Sequence, residues 1–389
     1  MLSIVCAVSA IFSSCSKKYS SDTVLPTTYS PSVLVGNDNN ILYALDPQTG
    51  AKNWEYSFPQ SIYASPLVYG GMVYVGITNL NSGLGQLDTL YKLNGQTGAL
   101  VKKMVFGPVH NFSIKSTPIA DGKLIYIATT NDSIYAIDTG TAAVQWRFGE
   151  TSAGGSFISS PTIFNGQLYI ASTSGNVYAI DKAAGTQTWS YSPGAGKSFV
   201  SSPAIGDSFL FVGCSDSSVY CLYLNTSGGN TAGTLKWSFG TRGAVTSSPA
   251  AYFGNCVFGS NDFNVYCVDV ISGSQKWKFA TSSNINFTSP TITSQVAYIG
   301  SNDYNMYALN MIDGSMKWKF TTNGLIASSP LAYHGTIYIG SFDNNFYAVD
   351  SALGTLKWSK YVGGQIECSP AINDFSGVQA NSQISGFTN

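Results

Sequence analysis

Charge is what this sequence has least of. Only 10% of its 389 residues are Asp, Glu, Lys or Arg, and the formal net charge is −1. Nucleic-acid binding needs clustered lysine and arginine, so the composition argues against that class of partner. Histidine is nearly absent: His110 and His334 are the only two. They stand in unrelated segments and make neither a metal site nor a catalytic triad. No two cysteines have C-x-x-C spacing, which argues against a zinc module. No stretch carries the three or four turns of apolar periodicity that an amphipathic helix needs. The apolar run from Leu2 to Phe12 is 11 residues long, too short to span a bilayer as a helix.

What is abundant points one way. Forty glycines and 24 tyrosines, with many Ser, Thr and Asn, suit short strands joined by tight turns. A Ser-Pro or Thr-Pro step recurs at Pro66, Pro118, Pro161, Pro203, Pro249, Pro290, Pro330 and Pro370, at intervals of 52, 43, 42, 46, 41, 40 and 40 residues. A second signature interleaves with it: a tyrosine, two residues, then usually Asp or Asn, as at Tyr43-Asp46, Tyr135-Asp138 and Tyr347-Asp350. A period near 42 with strand-like content means radial or stacked repetition.

One unit, Ser329 to Lys360, shows how the repeat folds. Two-residue and four-residue turns cut it into four short strands, which make one antiparallel blade. Proline cannot donate to a sheet ladder and so belongs at an edge. The first strand of a blade is the inner edge, facing the central channel. The residues before the prolines, from Ser65 and Thr117 round to Ser369, then form a ring of small hydroxyls. The tryptophans occupy one slot: Trp54, Trp146, Trp189, Trp277, Trp318 and Trp358 each follow the Asp or Asn by eight residues. Trp237 follows Tyr223 at fourteen, after a Gly-rich insertion, and Lys102 takes the place in the second repeat. Seven indoles at one slot read as wedges between blades. Each contributes about 4–6 kcal/mol before entropic costs, from roughly 150–250 Å² buried at about 25 cal/mol/Å².

The chain begins with three strands that lack a Ser-Pro strand and ends with a Ser-Pro strand that lacks its successors. Joining them completes a blade and leaves no edge. The expected fold is all-β, an eight-bladed β-propeller of four-stranded antiparallel blades over residues 31–375, a monomer, with a tail at 376–389.

Before the repeats, Phe12-Ser13-Ser14-Cys15 followed by Ser16-Lys17-Lys18 resembles a bacterial lipoprotein signal. That resemblance implies a signal peptide over 1–14, cleavage before Cys15, acylation of Cys15, and a flexible tether over 15–30. An ordinary secretory signal with an incidental cysteine is the competing reading. The later cysteines, Cys214, Cys221, Cys256, Cys267 and Cys368, stand where other repeats have Ala or Ser, and read as small buried residues.

The segments "LYALDPQTGAKNW", "VYAIDKAAGTQTW" and "VYCVDVISGSQKW" resemble the tryptophan-docking repeat of quinoprotein-type, PQQ-like propellers. That family includes PQQ-dependent alcohol dehydrogenases and BamB, the propeller lipoprotein of the outer-membrane β-barrel assembly machinery. The dehydrogenases hold quinone and calcium with acidic ligands and often a vicinal disulfide. This chain has no adjacent cysteines, and Asp46, Asp138, Asp181, Asp269 and Asp350 share a turn slot where a carboxylate caps backbone N–H groups. PQQ and calcium are therefore not expected, and no catalytic residue is identified. "PGAGKS" at Pro193–Ser198 imitates a phosphate loop, but it has Tyr191 at the first glycine position and a strand where a helix should follow.

Loops on a rigid scaffold are where binding concentrates. His110, Lys115, Glu150, Arg242 and Glu367 fall in or near the connections between blades, and are the expected rim for a partner. The expectation is a non-catalytic scaffold, lipid-anchored in the outer membrane facing the periplasm, that binds an envelope protein. Its nearest named role is outer-membrane protein assembly. A quinoprotein dehydrogenase or a sugar-binding propeller is the alternative.

Overall fold

The structure, a computed structural model, describes residues 30–77, 88–106, 113–150, 155–226 and 229–374. These contain 32 strands in eight four-stranded antiparallel sheets. Among the described residues there is no helix. Each sheet is one blade of an eight-bladed propeller. Blade 8 shows the pattern, with Leu331–Tyr333, Thr336–Gly340, Asn345–Asp350 and Leu356–Tyr361 running from channel to rim. Blade 1 is composite. Its outer three strands are Ser32–Gly36, Ile41–Leu45 and Lys52–Ser57, and its inner strand is the C-terminal Ala371–Asn373. Val33 pairs with Ile372 and Leu34 with Ala371, so the ends of the chain close the wheel as expected.

The inner strands begin on the residue after each proline, two positions later than the Ser-Pro reading places them. The reason is a hydrogen-bonded circle. The N–H of Thr117 donates to Ser160 Oγ at 2.9 Å, Ser160 to Ser202, Ser202 to Ser248, Ser248 to Ser289, Ser289 to Ser329, Ser329 to Ser369, and Ser369 to Ser65. The backbone just before seven of the eight prolines therefore pairs with the neighbouring blade rather than its own. Each bond contributes about 0.5–1.5 kcal/mol, and the circle fixes the channel radius. One residue earlier, the Ser116, Ser159 and Ser201 hydroxyls donate to the carbonyls of Ala128, Ala171 and Gly213 in the next strand of the same blade. Cys368 takes this place in blade 1, with its thiol on the Gly36 carbonyl. The five described cysteines are buried and free.

The apolar core lies between blades. Eight buried clusters each join two neighbours, for example Leu34, Val75 and Leu93 of blades 1 and 2, or Tyr338, Phe346 and Val35 of blades 8 and 1. The indoles sit in these seams. Six indole N–H groups donate to a carbonyl of the next blade: Trp54 to Gly95, Trp146 to Lys182, Trp237 to Val270, Trp277 to Met311, Trp318 to Ser351 and Trp358 to Pro47. Trp189 lies against Gly233 in the same way that Trp358 lies against Gly50. These glycines are in left-handed conformation, and a Cβ there would stand less than 3 Å from the ring. Blade 2 has no indole, and Lys102 Nζ instead donates to the Thr141 carbonyl at 2.8 Å.

The repeated aspartates do the local work expected of them. Asp46 Oδ1 accepts the N–H groups of Gln48 and Thr49, and Asp350 Oδ1 those of Ala352 and Leu353. These contacts fix the third turn of the blade and hold the Asp350 carboxyl below its usual range.

Candidate functional site

Among the described residues, the blades send their middle hairpins and their connections to the next blade to one side of the wheel, the mouth face. Hydrogen bonds between the two confirm that they share it: Asp38 N–H donates to Gln365 O, and Asn302 N–H to Asn284 O. First hairpins and third turns lie on the opposite side, the tip face.

Carboxylates recur round the mouth face in the middle hairpins, a feature missed in the sequence reading. Asp216, Asp262, Asp303 and Asp343 each accept from the hydroxyl of the tyrosine four residues on, at 2.6–2.7 Å. Asp262, Asp303 and Asp343 also accept an N–H from the connecting segment, at Arg242, Ser282 and Asn323. Burial raises the Asp262 carboxyl pKa, but these donors outweigh it and hold the group below its ordinary range. The recurring Ser-x-Asp-x-Asn of residues 260–264, 301–305 and 341–345 was the available signal.

The five expected rim residues separate. Glu150 is bonded within the fold. Blade 4 has Ser174 where its neighbour has Asp216, and Glu150 fills the gap from the preceding blade. It accepts from Tyr178 OH at 2.7 Å, from Asn176 Nδ2 at 2.8 Å, and from Ser172 and Ser174. Against burial, these bonds lower its pKa. Lys115 and Glu367 are exposed, each two residues before the serine/threonine circle. Partial desolvation raises the Glu367 pKa, Asp38 raises it further, and Lys115 opposes both. These two are the only charged side chains at their level of the ring, where other blades place Tyr63, Ile158, Val200 and Ala327. Arg242 is exposed farther out beside the 261–264 hairpin. His110 lies outside the described residues, as do Cys15, the proposed signal and tether through residue 29, most of the insertion at 79–88, and the tail at 376–389.

Three aromatic side chains stand out on this face. The middle hairpins turn through a left-handed residue, and that slot holds Asn40, Gly175, Ser217 and Asn344 in blades 1, 4, 5 and 8. In blades 6 and 7 it holds Phe263 (φ 70°) and Tyr304 (φ 71°), both exposed. Their carbonyls accept from Thr281 and Thr322 of the connections, so the strained geometry is locked. The connection that joins blades 6 and 7 carries Phe287, exposed and also left-handed at φ 66°. It is an added residue. In seven blades the circle hydroxyl follows the apolar anchor by three positions, as Ile62 to Ser65, and in blade 7 by four, Ile285 to Ser289. Thr246 of blade 6 holds the bulge by donating to Asn286 Oδ1 and accepting the Phe287 N–H.

A bulky residue at positive φ costs about 1–2 kcal/mol, and strain of this kind collects at functional sites. Phe263→Asn and Tyr304→Asn are each expected to raise stability by about 0.5–1 kcal/mol in urea unfolding, since asparagine accepts this conformation. A fall in stability would mean that the rings pack and do not merely strain the backbone.

The residues present do not fit a quinone–calcium site. A hard cation takes six to eight converging oxygens. Here the mouth carboxylates are occupied by tyrosine hydroxyls and backbone donors, and among the described residues no three of His, Cys, Asp and Glu gather where they could hold a metal ion.

A family model described as outer membrane protein assembly factor BamB matches residues 14–101, 86–231 and 226–381. No curated protein matches the chain. Among solved structures, BamB from Moraxella catarrhalis is 16% identical with a TM-score of 0.66, over 84% of this chain and 90% of that one. A europium-containing methanol dehydrogenase is 12% identical with a TM-score of 0.67, over 81% of each chain. The quinohemoprotein alcohol dehydrogenase from Comamonas testosteroni is 11% identical with a TM-score of 0.66, over 86% of this chain and 72% of that one. At these identities the likeness is one of fold.

Proposed function

The chain belongs to the family of outer membrane protein assembly factor BamB, and from that premise we propose that it is a non-catalytic propeller that docks another envelope protein on its mouth face. The observation that carries this reading is the trio Phe263, Phe287 and Tyr304. Three large rings are exposed on adjacent blades, each in a backbone conformation its residue type disfavours. Aromatic side chains are enriched among binding hot spots because they bury much area at low entropic cost. Arg242 beside Phe263, with Lys115 and Glu367 ahead of the inner strands of blades 3 and 1, adds polar anchors of both signs. An extended segment or loop of the partner, with large apolar side chains, suits this surface.

The proposed setting is the periplasmic side of the outer membrane, with Cys15 acylated and the following residues as tether. The apolar run ending in small residues before Cys15 supports that reading, as does the family's description. Enzymatic quinone chemistry is disfavoured because the carboxylates that would bind calcium are already committed.

Affinity purification from detergent-solubilised envelopes tests the docking role. The wild type is expected to recover a defined envelope protein, and a Phe263→Asn/Phe287→Ser/Tyr304→Asn variant to lose most of it while remaining folded. Equal recovery by both would remove the mouth face from the function. Saturable dye reduction after adding PQQ and calcium would overturn the non-catalytic part.

A further inference from the structure

The tip face changes character across blades 6, 7 and 8. Phe253 occupies a left-handed position (φ 42°) in the first hairpin of blade 6 and is 83% exposed. His334 and Asn165 hold that slot in blades 8 and 4. The third turns of the three blades carry Ile271, Ile312 and Leu353, of which Ile312 is 74% and Leu353 71% exposed. Blades 1 to 4 have Gln48, Gln96, Gly140 and Ala183 in these turns. Exposed Met316 and Leu356 extend the apolar surface onto the outer strands of blades 7 and 8.

The same sector is basic. The outer strands of blades 6 to 8 carry six lysines, at 276, 278, 317, 319, 357 and 360. The third turns beside them hold three aspartates. Of these, Asp269 pairs with Lys276 at 3.1 Å and Asp350 with Lys357 at 3.4 Å. Lys278, Lys317 and Lys319 are exposed and make no ion pair among the described residues. Apolar tips with uncompensated lysines on the adjoining outer strands, Lys317 at the tip end and Lys278 and Lys319 at mid-strand, are the pattern of a surface that lies on anionic lipid headgroups. A third fact agrees. The strand Ser32–Gly36 leads into a mouth-face hairpin, so the chain enters the propeller at Pro31 on the tip face. The described residues therefore begin on this face.

We propose that the tip face of blades 6–8 is a membrane-contact surface, with Phe253, Ile271, Ile312 and Leu353 entering the headgroup layer of an anionic bilayer and the lysines holding its phosphates. The proposal rests on the envelope setting above but not on docking at the mouth. It leaves the mouth face open to a partner.

The test uses the full chain with Cys6→Ser and Cys15→Ser, so that only an introduced cysteine is accessible to label. An environment-sensitive dye is attached at Ile312→Cys or at Tyr304→Cys, and emission is read with phosphatidylglycerol-containing or pure phosphatidylcholine vesicles. The expected result is a blue shift at position 312 with the anionic vesicles, reversed by high salt, and none at position 304. Adding Lys278→Gln/Lys317→Gln/Lys319→Gln is expected to cut the shift by more than half. No shift at 312, equal shifts at both positions, or a shift indifferent to the lysines and to lipid charge would overturn the proposal. Loss of partner capture by the mouth-face variant with the 312 shift intact, or the reverse, separates the two readings.

Discussion

Trp358→Ala is expected to lower the unfolding free energy by about 3–5 kcal/mol, the range for removing a large buried aromatic. Trp358 is buried between blade 8 and the composite blade 1. Its N–H donates to Pro47 O at 3.0 Å, its ring lies 5.9 Å from those of Tyr338 and Phe346, and it covers Gly50. The seam it fills joins residues 311 positions apart. The other described seams join blades that are consecutive in sequence and so remain near each other when loosened. This one is held by Trp358, the Tyr338 hydroxyl on the same Pro47 carbonyl, and the Ser329 N–H on Ser369. Losing the indole should therefore open the wheel as well as leave a cavity. Urea unfolding followed by circular dichroism measures the effect. A loss below about 1 kcal/mol would show that the closing strand alone secures the ring.

Gly354→Ala should cost about 2–4 kcal/mol, combining roughly 1 kcal/mol for alanine at positive φ with 1–3 kcal/mol for overpacking. Gly354 has φ 71°, and a Cβ would stand 2.6 Å from Trp318 Cδ2. The protein contains its own control. Blade 3 has Ala142 at this slot with φ 65°, and the blade before it has Lys102 in place of the indole. Alanine is present where no ring presses on the turn, so the ring contact is the larger part of the requirement. Ala142→Gly should accordingly stabilise by up to about 1 kcal/mol. Equal and small effects at both glycine-slot positions would mean that the indole yields readily, and would weaken the wedge account of the seams.

The architecture was open to reading because its signals repeat. Proline, the motif tyrosine, the turn aspartate and tryptophan each recur at one offset, and a register seen eight times outweighs any single ambiguous residue. The functional surface was harder for the same reason. Attention to charge singled out Glu150, but its role depends on Ser174 in the next blade, and only folding brings the two together. Lys115 and Glu367 were singled out as separate rim charges, and the influence of Lys115 on the Glu367 carboxyl follows only from the curvature of the ring. The informative residues were hydrophobic. Phe263 and Tyr304 look like ordinary strand aromatics until the hairpin slot is aligned with Asn40 and Asn344. Phe287 is visible as one extra position between Ile285 and Ser289, a departure that only the regularity of the other blades reveals. The apolar tips at Ile271, Ile312 and Leu353 likewise gain meaning only once the fold sets them on one face.

The central claim is that the mouth face, through those three rings, is where a partner sits. A photo-crosslinking side chain placed at position 287 in cells tests it most directly, with Asn165 on the tip face of blade 4 as the control position. The expected result is one discrete adduct with an envelope protein at 287 and none at 165. No adduct at 287, or the same adducts at both positions, would contradict it.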